Sequence, residues 1–143
     1  MCRNIFYGLL LTATLFVAVG CSDKCKITGS VTLEDGTPVP NGNILFQGEA
    51  KQAYGTIKSD GSYFLSTNGN GDGIDAGSYR VVISGTSRIV PGKVLRDEMD
   101  TGEEPVIDVM YANAETTPLS YEVTKTEKVD FKVKPFTGYK RSR

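Results

Sequence analysis

From residue 26 onward the chain runs in short stretches where apolar and polar residues alternate, and each stretch stops at a turn signal. In KITGSVTLEDG, Ile27, Gly29, Val31 and Leu33 fall on one face and Thr28, Ser30 and Thr32 on the other, before Asp35-Gly36. A period of two that ends in Asp-Gly is a half-buried strand meeting a turn.

The same pattern repeats along the chain. TPVPNG, with two prolines and an Asn-Gly, is a connection that no central strand would hold. NILFQG and QAYGTIK read as the second and third strands. SDGSYFLS turns tightly at Asp60-Gly61 and sets Tyr63 and Leu65 on one face of a fourth. SYRVVISG is an apolar fifth strand, entered through the glycine-rich TNGNGDGIDAG. PLSYEVTK and KVDFKVK read as a terminal hairpin around Thr126-Glu127, with Val129, Phe131 and Val133 alternating with Asp130, Lys132 and Lys134. Residues 85–105 are polar and read as a long excursion between strands. The 16 glycines fall mainly in short clusters, as a turn-rich chain requires, and a length of 143 residues suits one domain. The expectation is an all-β fold, a seven-stranded β-sandwich.

Three segments in order, ITGSVTLEDGTPVPNGNILF, GTIKSDGSYFL and AGSYRVVISG, resemble the carboxypeptidase regulatory-like domain. That family is a transthyretin-like β-sandwich, immunoglobulin-like in its general build. Gly36, Pro38, Pro40 and Gly42 match its first bend, Asp60, Gly61 and Tyr63 its central turn, and Gly77, Tyr79 and Val81 its following strand. The C-terminal part is similar to small bacterial lipoproteins that carry this domain alone, with Tyr111, Thr116, Thr117 and Leu119 in the corresponding places. Asp108 stands where those proteins have proline. The resemblance spans residues 26–133 and implies a fold; it is nearly silent on function.

The first twenty residues, MCRNIFYGLLLTATLFVAVG, carry Arg3 and then an uncharged apolar run. A positive start, an apolar middle and small residues at the boundary make a secretory signal peptide. The run over residues 5–20 is shorter than the ~20 apolar residues a span needs, and Gly8, Thr12 and Thr14 interrupt it. A retained membrane anchor is therefore the less favoured reading. Ala18-Val19-Gly20-Cys21 resembles the lipobox of bacterial lipoproteins, in which the cysteine thiol takes a diacylglycerol and the peptidase cuts before it. The resemblance makes Gly20-Cys21 the cleavage point and Cys21 the lipidated residue. Ordinary signal peptidase also accepts Ala-x-Gly, which would give a soluble exported form.

Cys2 leaves with the leader, and a Cys21 thioether cannot enter a disulfide. The alternative is a Cys21–Cys25 bridge closing a very small loop. The resulting division is 1–20 signal peptide, 21–25 lipidated tether, 26–135 sandwich and 136–143 flexible basic tail.

The sequence contains no histidine, which removes Ser-His-Asp and Cys-His catalysis and His-dependent zinc sites. With 16 basic and 17 acidic residues, no strong field points to nucleic acid. Asn68, Asn70 and Asp72 sit at alternate positions with Gly73 sixth, as in an EF-hand loop. Position one is Asn rather than Asp, however, and position twelve is Tyr79 where a bidentate glutamate belongs, so the expectation is a glycine-rich turn and no metal. Asp97, Glu98, Asp100, Glu103 and Glu104 form an acidic stretch offset by Arg88, Lys93 and Arg96; it reads as a solvated loop. Tyr54, Tyr63 and Tyr79 are aromatic candidates for stacking on sugars or peptides, although period two assigns Tyr63 and Tyr79 to packing.

The functional expectation is a non-catalytic, lipid-anchored module of the bacterial envelope. It needs no cofactor beyond the lipid on Cys21, and its partners are the membrane and an envelope protein or glycan. Ser22 follows the cysteine, in place of the aspartate that marks inner-membrane retention in some bacteria, which favours the outer membrane or the cell surface. The alternatives are a transthyretin-related hydrolase and a calcium-dependent adhesion module.

Overall fold

The structure, a computed structural model, describes residues 24–92 and 101–138. Gly20 and Cys21, the acidic residues Asp97, Glu98 and Asp100, and the tail from residue 139 lie outside the described residues.

The described chain is nearly all β. Its strands are β1 Ile27–Leu33, β2 Asn43–Gln47, β3 Gln52–Thr56, β4 Ser62–Phe64, β5 Gly77–Ser84, β6 Ser87–Ile89, β7 Glu103–Pro105, β8 Ser120–Val123, β9 Glu127–Lys128 and β10 Phe131–Val133, with a 3₁₀ turn at Val109–Ala112. That makes ten strands where the alternation suggested seven. Two of the extra strands are β6 and β7, which form a small antiparallel ribbon inside the polar excursion. Their exposed SRI and polar EEP sequences bury too little to show a period of two. The third arises because the last expected strand is interrupted at Val129 and Asp130.

Two four-stranded sheets pack face to face. One has the order β10-β1-β4 with β9 also on β1, and the other has β3-β2-β5-β8. The inward residues of β1, Ile27 and Val31, meet Ile44, Phe46, Val81 and Ile83 of the other sheet in one core. Complete burial of each such side chain contributes about 1.5–3 kcal/mol. Phe46 sits between the sheets, with Phe131 at 6.0 Å and Tyr79 at 6.1 Å between ring centroids.

Both lateral edges of the sandwich are stitched. On one side Tyr54 and Ser66 exchange backbone hydrogen bonds at 3.0 Å, joining β3 to the end of β4. On the other, Ile107 pairs with Pro135, and the buried Tyr111 hydroxyl accepts the Lys134 N–H at 3.1 Å. Asp108 caps the 3₁₀ turn, its Oδ1 accepting the Met110 N–H at 3.0 Å, so a side-chain acceptor shapes this corner.

The expected terminal hairpin does not form. β8 pairs with β5 in one sheet, whereas β9 and β10 pair with β1 in the other, and they do so in parallel. The chain crosses between sheets at residues 124–126. Alternation assigns a buried face to each segment, and that face is satisfied equally by a hairpin or by a crossover. The partner strand is a tertiary choice.

Candidate functional site

The loop after β4 is too rich in glycine to hold itself by regular pairing, and Asp72 organises it. Its Oδ1 accepts the Ser66 hydroxyl at 2.7 Å and the backbone N–H groups of Thr67 and Asn68 at 3.0 and 3.3 Å. Its Oδ2 accepts Lys24 Nζ at 2.5 Å and Asn68 Nδ2 at 3.0 Å. Lys24 also donates to the Thr67 hydroxyl at 2.6 Å. The Lys24 ammonium and then the Ser66 hydroxyl hold the Asp72 carboxyl well below the usual carboxylate range.

The two residues that follow Lys24 are fastened at the same end of the sandwich. Cys25 exchanges backbone hydrogen bonds with Ile74, at 2.8 and 2.9 Å. A side chain at residue 73 would place its Cβ 2.5 Å from the Cys25 carbonyl oxygen, so this approach requires Gly73, whose φ is +86°. The Lys26 N–H then donates to the Thr126 hydroxyl at 2.9 Å. Cys25 is 1% exposed and belongs to the core cluster.

Beside this end lies an open depression of about 520 Å³, between the β2–β3 turn, the start of β5 and residues 114–120. Gln47, Glu49, Arg80, Glu115 and Ser120 line it, and Tyr79 forms its wall. The Tyr79 hydroxyl donates to the Asp75 carbonyl at 2.8 Å, which fixes the ring. The lining offers hydrogen bonds and both signs of charge.

Of the residues that sequence spacing grouped as calcium ligands, the structure brings Asn68 and Asp72 into contact with each other rather than around an open site. Asp72 turns inward onto Lys24, Asn68 donates its amide to that same carboxylate, and Asn70 is exposed. Among the described residues no group of three His, Cys, Asp or Glu side chains could hold a metal ion. Of the tyrosines, Tyr63 and Tyr79 are buried, while Tyr54 is 49% exposed. Glu103 and Glu104 lie on β7, with Glu104 opposite Arg88 of β6. Sequence reasoning missed Lys24, Ser66 and Thr67. The available signal was a lysine before the first strand and a Ser-Thr pair opening a loop that holds one carboxylate, but 48 residues separate Lys24 from Asp72.

The chain matches no family model, no curated protein and no solved structure.

Proposed function

We propose that this chain is exported, cut before Cys21 and held on a bacterial membrane by lipid on that cysteine. Its sandwich then acts as a non-catalytic binding or structural module of the envelope, at the outer membrane or the cell surface, with an envelope protein or glycan as partner. The observation that carries this reading is where the fold begins. Lys24 and Cys25 are already fastened to the domain, so only Ser22 and Asp23 separate them from the cysteine that ends the lipobox-like segment. Two acyl chains suffice for stable anchoring, since each buried methylene contributes about 0.8 kcal/mol.

The absence of histidine from the sequence supports a binding role over hydrolysis. The calcium-dependent alternative loses support because an ion at Asp72 would have to displace the Lys24 ammonium. Among the described residues no helix is long and apolar enough to cross a membrane.

Intact-mass analysis of membrane and soluble fractions, wild type against Cys21→Ser, tests the reading. The expected wild-type product begins at Cys21, carries added lipid mass and stays with the membrane, while Cys21→Ser does not. Wild-type protein in the medium with an unmodified Cys21 overturns it.

A further inference from the structure

Three consecutive residues at the start of the fold are tied to two loops, Lys24 and Cys25 to residues 66–76 and Lys26 to residues 124–126, and both loops lie at one end of the sandwich. Lys24 binds Asp72 and Thr67, Cys25 pairs with Ile74, and Lys26 donates to Thr126. The strand registers place the β2–β3 turn at this end too, since Gln47 pairs with Gln52 and with Arg80, and Lys51 reaches Asp75 at 2.9 Å. The opposite end carries residues 34–42 and the turn at 57–61, beyond the far end of β1. β1 has seven residues, which at about 3.3 Å each separates the two ends by roughly 23 Å.

Covalent geometry then limits orientation. Cys21 is three residues from Lys24, which even fully extended reaches about 11 Å. A domain of some 100 residues has a radius of gyration of about 13 Å, so its span exceeds that reach. With the domain seated on its far end, Cys21 could not reach the surface while Lys24 stays clamped to Asp72. We infer that the end formed by residues 48–51, 66–76 and 124–126 faces the phospholipid surface to which the chain is anchored. The end carrying residues 34–42 and 57–61 points away from that surface. This inference rests on lipidation at Cys21.

The test uses the full lipidated chain in phosphatidylethanolamine/phosphatidylglycerol vesicles with a nitroxide quencher on the headgroup. A thiol-reactive fluorophore is placed in turn at Asn70→Cys, Lys125→Cys and Ser59→Cys, all exposed positions; burial shields Cys25. Quenching several-fold stronger at 70 and 125 than at 59 is expected. Inserting about twelve Gly/Ser residues after Ser22, which adds on the order of 20 Å of reach, is expected to level the three. Intact mass on the same samples separates the possible failures. Lipid present at Cys21 with even quenching, or stronger quenching at 59, overturns the orientation alone. An asymmetry that survives the long linker overturns the short tether as its cause. A chain without lipid overturns the anchored reading, and the orientation with it.

Discussion

Tyr63 donates its hydroxyl proton to the backbone carbonyl of Val129, at 2.7 Å, beside Gly29. This contact accounts for the break between β9 and β10. The register on β1 is the same before and after the break, with Glu127 opposite Ile27 and Phe131 opposite Val31. An unbroken parallel ladder would send the Ser30 N–H to the Val129 carbonyl. Here that carbonyl tips toward Tyr63, and the Ser30 N–H and hydroxyl both turn to Asp130 Oδ1 at 2.8 Å. A Cβ on residue 29 would lie 1.7 Å from the Val129 oxygen, so only glycine admits the arrangement.

Tyr63→Phe removes the donor and leaves a buried carbonyl to find another. A loss of about 1–3 kcal/mol is expected in urea unfolding. Gly29→Ala forces the Val129 carbonyl to move, and an overpacking cost of about 1–3 kcal/mol or more is expected. Because both changes act on one oxygen, the double variant should lose less than the sum of the singles. Strict additivity would show that the contact does not hold the break.

Asp72→Asn keeps the size of the side chain but turns an amide group toward Lys24 and the loop donors. The pairing of Cys25 with Ile74 should loosen, with hydrogen exchange at both amides several-fold faster than in the wild type and little change at Val81 in the core. Calcium should leave the melting temperature of the wild type unchanged, since a ligand of the native state raises stability. A calcium-dependent rise would return Asp72 to the role of a metal ligand.

Cys25 should resist alkylation by iodoacetamide in the native protein and react fully in denaturant, because its side chain lies in the core. Cys25→Ser puts a hydroxyl there and should destabilise by about 1–3 kcal/mol. Rapid alkylation of the native protein would contradict the burial.

Stability should fall at both extremes of pH. Four carboxyls are held below their ordinary value: Asp35 by the Thr37 N–H, Asp60 by the Ser62 hydroxyl, Asp72 by Lys24 and Asp130 by the Ser30 hydroxyl. The native state therefore binds fewer protons than the unfolded chain. Their contribution is present above the unfolded carboxyl value of about 4 and drains away as pH falls toward the native values. Burial raises Tyr63 and Tyr79, and the hydrogen bond to Glu127 raises Tyr121. Here the native state holds protons longer. That contribution is intact below the unfolded tyrosine value of about 10 and is lost as pH rises beyond it. Melting temperatures across the range check both limbs, and Tyr63→Phe should flatten the alkaline one.

The all-β character, the inward faces and most turns were legible in local chemistry. Ile27, Val31, Tyr63, Leu65, Val129, Phe131 and Val133 are buried as their alternation requires, because a strand's side chains point to opposite faces whichever strand lies beside it. Asp35-Gly36 and Asp60-Gly61 turn as expected, since the signal lies within a few residues. What the tertiary structure alone decided is which segments meet. It chose parallel pairing of the last strand with β1 over a hairpin, a break at Val129 made by Tyr63 and Gly29, and the clamp from Lys24 to Asp72. Each joins groups between 34 and 100 residues apart, counting from Tyr63 to Gly29 at one extreme and from Lys26 to Thr126 at the other. A carbonyl or a carboxylate carries no record in the sequence of the distant donor that satisfies it. Only the packed chain brings the two together, and burial then makes the pairing obligatory.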